Sequence, residues 1–103
     1  MKPKANARIL IVDPDVSFRE GLCDAFGREG YEIQGMEESG SALEVLKSDD
    51  LDLLLSESNL PGGGVLDFIQ QARDYSPRTL ILLLASKPSI DIAVGALHQG
   101  VCD

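Results

Sequence analysis

The sequence predicts an α/β fold in which a doubly wound parallel sheet carries helices on both faces. Short, continuous apolar runs such as Ile9–Val12 are typical of strands that are covered on both sides. These runs alternate with segments in which apolar residues recur every three to four positions, as they do on one face of a helix. Proline, glycine and serine separate the two kinds of segment. Such regular alternation of strand and helix favours a parallel sheet.

The first strand and the first helix have well-marked ends. Ile9–Val12 is rich in β-branched residues, and Pro14 suits the first turn of the helix that follows. This helix is expected to run to about Glu29 and to end at Gly30. Its apolar residues recur every four positions, at Phe18, Leu22 and Phe26.

The middle of the chain predicts a weak strand, a helix and a strong strand. The weak strand covers 31–36, and the strong one covers Leu51–Leu55. Ser41 and Glu44 have the spacing of a capping box, which indicates where the second helix begins. The apolar face of that helix is formed by Ala42, Val45 and Leu46.

The remaining sequence predicts a helix, a strand and a further helix. A third helix is closed by Ser76 and Pro77, Leu80–Leu84 is the most apolar strand, and a fourth helix is expected between Pro88 and Gly100. The apolar faces of these two helices are formed by Val65, Leu66, Phe68, Ile69 and Ala72, and by Ile90, Ala93, Val94 and Leu97. The sequence stops at Asp103, where a fifth strand is expected, so we interpret 1–103 as a single domain of a longer protein. A chain that ended there would expose the edge of the fourth strand and is expected to self-associate.

Composition excludes several classes of function. Seventeen acidic against nine basic residues give a net charge of -8, which argues against direct binding of nucleic acid. No apolar run is long enough to cross a bilayer or to act as a signal peptide, so a cytoplasmic protein without membrane contact is expected. Cys23 and Cys102 lack the spacing of metal ligands, and His98 stands alone.

Polar residues at the ends of the predicted strands form a candidate site. Ligands of open parallel sheets bind at the carboxyl ends of the strands, near the point where strand order reverses. Several carboxylates converging there are suited to a hard cation such as Mg²⁺. A competing interpretation, strongest for Asp15, is that acids at helix N-termini interact with the helix dipole. The candidate residues are Asp13, Asp15, Glu57, Ala85 and Ser86.

Three separated segments carry a resemblance to a known family. They read ILIVD at 9–13, NLPG at 59–62, and SID at 89–91 continuing through the alanines at 93 and 96 to Gly100. Together they resemble the receiver domain of bacterial response regulators, especially receivers that precede the ATPase of nitrogen-regulation-type enhancer-binding activators. The resemblance covers 8–103. It implies a five-stranded, flavodoxin-like fold and Mg²⁺-dependent transfer of a phosphoryl group from a histidine kinase to an aspartate after the third strand.

The site departs from the family pattern at several positions. Pro14 stands where a second acid is usual, and Glu57 stands at the phosphoacceptor position. Ala85 replaces a hydroxyl residue, and Ser86 lies one place late. The extra methylene of glutamate moves its carboxylate by roughly 1.5 Å, and such displacements cost on the order of 10²-fold in reactions that need alignment. We therefore expect Asp13 and Glu57 to bind Mg²⁺ weakly, with no other cofactor.

Three hypotheses of function follow. In the first, the domain is a degenerate receiver, or pseudo-receiver: a non-enzymatic interaction module that regulates an output domain in the same protein, with a homodimer expected. In the second, it is a working receiver with a histidine kinase partner, in which Asp13 or Asp15 accepts phosphate or Glu57 does so slowly. The third is a small nucleotide-binding enzyme, supported only by the glycines at 62–64, which lack the established phosphate-loop patterns.

Overall fold

Four strands and three helices alternate along the part of the chain that the structure describes. The structure is a computed structural model, and it describes residues 7–58, 60 and 64–84. The elements are β1 (Arg8–Val12), α1 (Val16–Arg28), β2 (Glu32–Met36), α2 (Ser39–Ser48), β3 (Leu53–Glu57), α3 (Val65–Tyr75) and β4 (Leu80–Leu84). The predicted doubly wound, flavodoxin-like fold is confirmed. The fourth helix predicted between Pro88 and Gly100 lies outside the described residues.

The sheet is parallel, and its strand order reverses beside β1. The order is β2-β1-β3-β4. The chain moves outward from β1 to β2 and then crosses back past β1 to β3. In folds of this kind ligands bind at such a reversal point. Val12 is paired with Ser56, so the residues that follow them, Asp13 and Glu57, are neighbours at the carboxyl end of the sheet.

Apolar layers cover both faces of the sheet. Successive strand residues point to opposite faces, so Leu10 and Leu54 contribute to one layer while Ile11 and Leu55 contribute to the other. The first layer is completed by α2 and α3. The second is completed by α1, which contributes Leu22, Cys23 and Phe26. This division of helices between the faces leaves the carboxyl end of β1 and β3 between two packed layers.

Two expectations about helix starts are wrong. Pro14 does not lie in the first turn of α1, because the helix begins at Val16 and Asp15 is its N-cap. The capping box in α2 is also absent. That helix begins at Ser39, since the amide of Ala42 already donates to the carbonyl of Glu38 at 3.3 Å. Glu44 instead forms an ion pair with Lys47 at 3.2 Å.

The third strand lies two residues later than predicted. The ladder between β3 and β4 continues through Ser56 and Glu57, although both residues are polar. Leu51 is buried but precedes the strand, and its carbonyl accepts a hydrogen bond from the hydroxyl of Thr79 at 2.8 Å. Leu51 is apolar because it is buried, and not because it pairs with a neighbouring strand, so the apolar pattern predicted the start of the strand too early. Glu57 is therefore the last residue of β3 rather than a residue of the following loop.

Candidate functional site

Asp13 lies directly after β1 and is held by backbone groups on both sides. It is buried, with 3% of its surface exposed. Its amide donates to the carbonyl of Met36 at 2.9 Å and so continues the ladder to β2. Its Oδ1 accepts a hydrogen bond from the amide of Asp15 at 2.8 Å, which closes an Asx turn around Pro14. One oxygen of the Asp13 carboxylate is thus already engaged within the chain.

Asp15 serves the helix that follows it. Its Oδ1 accepts a hydrogen bond from the amide of Phe18 at 3.1 Å, the usual contact of an N-cap. The side chain is exposed. These contacts agree with the interpretation of Asp15 as a helix N-terminal acid.

Glu57 is folded into the protein rather than extended into solvent. Only 7% of its surface is exposed, and its Oε1 accepts a hydrogen bond from Oγ of Ser58 at 3.3 Å. Ser58 is itself held against β4, because its amide donates to the carbonyl of Leu84 at 2.9 Å. Oγ of Ser56 donates to the carbonyl of Glu57 at 3.1 Å. The end of β3 is therefore a buried Ser-Glu-Ser segment.

The surroundings of Asp13 oppose its ionisation. Burial is the main cause that raises the pKa of Asp13, and the negative charges of Glu57 and Asp15 raise it further. The amide of Asp15 and the guanidinium of Arg19 lower the pKa. The site thus concentrates carboxylates in a poorly solvated place, where the ionised form is costly.

Two residues at this site were not anticipated from the sequence. Nη1 of Arg19 donates to the carbonyl of Asp13 at 2.7 Å, and Ser58 contacts Glu57. The position of Arg19 in the sequence could have indicated a role. A cation in the first turn of a helix is unfavourable to the helix dipole, and no acid in that turn compensates for it. No comparable signal distinguished Ser58. Ala85 and Ser86 lie outside the described residues.

The described residues do not form a complete magnesium site. Asp13 and Glu57 supply oxygen donors of the kind that Mg²⁺ takes. However, no cluster of three or more His, Cys, Asp or Glu arranged to hold a metal occurs within the described ranges. One oxygen of Asp13 already accepts from Asp15. This donor set is a poor fit to the family's metal.

A parallel sheet whose strand order reverses beside two buried carboxylates defines a doubly wound domain with its site at the reversal point. The comparisons with known proteins narrow this class to one family. The family model described as the response regulator receiver domain matches residues 9–103. The chain therefore belongs to the receiver domains of two-component response regulators, which is a regulatory family.

The relatives include activators of the type expected from the sequence. The chain is 31% identical over 97 residues to the response regulator protein FleR of Pseudomonas aeruginosa, and the match covers 94% of the chain. It is 30% identical over 95 residues to the DNA-binding transcriptional regulator NtrC of Escherichia coli, covering 92% of the chain. The chain spans 20% of the length of each relative. The predicted resemblance to receivers of nitrogen-regulation-type activators is confirmed.

Solved structures confirm the fold. A CheY-like receiver domain protein from Methanospirillum hungatei matches with a TM-score of 0.88 and 24% identity, over 92% of this chain and 76% of that one. The beryllofluoride-activated NtrC4 receiver domain dimer matches with a TM-score of 0.83 and 24% identity, over 91% of this chain and 78% of that one. In the part of the chain that the structure describes, no helix is long and apolar enough to span a membrane.

Proposed function

We propose that this receiver domain is degenerate and acts as a regulatory interaction module rather than as a phosphorylated relay. The observation that carries the proposal is the position of Glu57. It ends β3 beside Asp13 at the point where strand order reverses, which is where the receiver pattern places the aspartate that accepts phosphate. Residues 1–103 are proposed to be one domain at the N-terminal part of a longer cytoplasmic regulator.

The chemistry of phosphoryl transfer supports this proposal. Such transfer depends on alignment of the reacting groups and on neutralisation of their charge. Glu57 is longer than aspartate by one methylene, it is buried, and its Oε1 accepts a hydrogen bond from Ser58. Pro14 brings no carboxylate for a metal, and Ala85 brings no hydroxyl. If each change acts independently, the combined loss is roughly 10⁴-fold or more.

The regulatory role follows from the charge that remains. The carboxylate of Glu57 places negative charge near the position of an acyl phosphate and so favours a partly phosphorylated-like form of the domain. The resemblance is incomplete, because glutamate has one charge and two oxygens where a phosphoryl group has about two charges and three oxygens. The partner is an output domain in the same protein. A homodimer is part of the proposal, supported by the dimeric receiver of NtrC4.

A second candidate is a working receiver with unusual geometry. It is supported by the retained carboxylates of Asp13 and Asp15 at the site and by membership of a family whose receivers accept phosphate from histidine kinases. In that case Asp13 or Asp15 accepts the phosphoryl group, or Glu57 does so slowly. The nucleotide-binding enzyme remains a remote alternative, supported only by the glycines at 62–64, which lack the established phosphate-loop patterns.

Intact-mass measurement after incubation with a small phosphodonor and Mg²⁺ separates the two candidates. We expect no added mass in the unaltered chain and little in Glu57→Asp alone, because Pro14 and Ala85 remain. The triple variant Glu57→Asp, Pro14→Asp, Ala85→Ser should gain one phosphoryl group, with the receiver of Escherichia coli NtrC as a positive control. Addition of one phosphoryl group to the unaltered chain at substantial occupancy would overturn the proposal.

A further inference from the structure

Arg19 reaches back from the first turn of α1 to the end of β1. Its Nη1 donates to the carbonyl of Asp13 at 2.7 Å. The amide of Asp13 makes a ladder bond to the carbonyl of Met36, where β2 ends. Because β2 ends at Met36, it has no further residue to pair with the carbonyl of Asp13. The guanidinium of Arg19 donates to this carbonyl instead. A charged donor makes this a stronger bond than an ordinary ladder bond.

Gly35 leaves the space that the side chain of Arg19 occupies. This glycine lies within β2, an edge strand of the described sheet, and is paired with Ile11; glycine inside a strand is unfavourable. A Cβ atom at position 35 would lie 3.1 Å from both Cγ and Cδ of Arg19 and 3.2 Å from Sγ of Cys23. These distances are shorter than ordinary van der Waals contacts, so a side chain at position 35 would require the stem of Arg19 or Sγ of Cys23 to shift by a few tenths of an ångström. Glycine here marks a close approach of another side chain to the strand.

The charges of the site account for a cation at this position. Asp13, Asp15 and Glu57 place three carboxylates around the end of the sheet, and Arg19 opposes their effect on Asp13. In the first turn of a helix a cation is unfavourable because it opposes the helix dipole. The contact of Arg19 with Asp13, and not the position of Arg19 in the helix, is therefore the favourable interaction of this cation.

We propose that Arg19 is a positioning residue of this site: its guanidinium fixes the Asp13 end of β1, and Gly35 provides the room for its side chain. The inference rests on the proposed function in one respect, since it takes the Asp13–Glu57 end of the sheet as the regulatory site. In a domain that no phosphoryl group switches, the guanidinium of Arg19 holds the backbone of Asp13 in a single conformation.

Hydrogen exchange measured by NMR tests the proposal on the whole chain, without phosphodonor or metal. The reporter is the amide of Asp15, which donates to Oδ1 of Asp13. In Arg19→Gln this amide should exchange roughly tenfold faster, the change expected for loss of about one supporting hydrogen bond. Arg19→Lys keeps the charge and should restore part of the protection. The matched control is Arg28→Gln, because Arg28 also donates to a backbone carbonyl, that of Asp24 at 3.3 Å, but within α1; it should leave Asp15 unchanged.

Gly35→Ala supplies the second half of the test. It should speed exchange at Asp15 in the same direction, and the double variant Arg19→Gln, Gly35→Ala should be no faster than Arg19→Gln alone, because residues acting through one contact are not additive. Unchanged exchange at Asp15 in Arg19→Gln, or full additivity in the double variant, would overturn the proposal. Protection of the amide of Leu10 in β1 verifies that each variant is folded. Phosphorylation of the unaltered chain would overturn the proposed function and leave this result standing.

Discussion

Replacing Asp13 with asparagine should stabilise this domain near neutral pH. Asparagine keeps Oδ1, which accepts the hydrogen bond from the amide of Asp15 at 2.8 Å, and replaces the second, charged oxygen by a neutral NH₂ group of similar size. The charge is costly because Asp13 is buried and lies beside Glu57 on the neighbouring strand. The substitution therefore isolates the electrostatic cost of the acidic site from its geometry.

The spacing of the strands gives the order of magnitude of the effect. Neighbouring strands lie about 4.8 Å apart, and two unit charges about 5 Å apart repel by about 3 kcal/mol at an effective dielectric constant of about 20. Arg19 and the amide of Asp15 act in the opposite direction. We expect a net gain in the free energy of unfolding of about 1–2 kcal/mol at pH 7.

The pH dependence has a definite sign. The pKa of Asp13 is raised in the folded protein above its ordinary value of 3.8, so between these two values the folded state binds more protons than the unfolded state. Stability of the unaltered protein therefore falls as pH rises through this window. The advantage of Asp13→Asn should be full above the raised pKa and absent below about pH 3.8, where both states of the unaltered protein are protonated.

Urea unfolding at a series of pH values measures this difference. Glu57→Gln removes the same repulsion from Asp13, so the double variant should gain less than the sum of the two single variants. Asp24→Asn, on an exposed position of α1, is the control for loss of one acid and should change little. An Asp13→Asn protein that is no more stable at pH 7, or one whose advantage persists undiminished at low pH, would refute the reasoning.

Two further outcomes are expected. Mg²⁺ should bind only in the millimolar range or more weakly, roughly -4 kcal/mol or less favourable, because Asp13 and Glu57 provide few free donors; a micromolar dissociation constant in calorimetry would instead indicate a working receiver. Thr79→Val should destabilise the fold by about 1–3 kcal/mol. Thr79 is 2% exposed, and the substitution removes the hydroxyl that donates a hydrogen bond to the carbonyl of Leu51. Thermal unfolding measures this loss, with Thr79→Ser as the variant that should retain most of the stability, and equal losses in both variants would contradict the hydrogen-bond explanation.

The fold was predictable chiefly because β1 and β4 are continuous apolar runs. The predicted fourth strand matches β4, and the end of α1 next to Gly30 is as expected, since a glycine at a φ of 95° suits the exit from a helix. The start of β3 was not predictable from apolar periodicity. Ser56 and Glu57 belong to the ladder although they are polar, and Leu51 is buried without joining it.

The site was predictable in its carboxylates and not in its other contacts. Strand order alone brings Asp13 and Glu57 together, because the carboxyl ends of parallel strands share one edge. The contact of Arg19 depends on the direction of a long side chain across Gly35, which no spacing in the sequence specifies. The same holds for Ser58, whose hydroxyl donates to Oε1 of Glu57 while its amide donates to the carbonyl of Leu84.

Pro14 also acts on the unfolded chain. Its ring restricts the backbone in every conformation, and the Asx turn between Asp13 and Asp15 requires no amide hydrogen from position 14. Proline at a compatible position stabilises a protein by about 0.4–1 kcal/mol, through lower conformational entropy of the unfolded state. At this position the receiver pattern carries a second acid, which would add another charge to a crowded site. Proline in place of that acid thus favours stability in two ways, because it restricts the unfolded chain and removes a charge from a poorly solvated site.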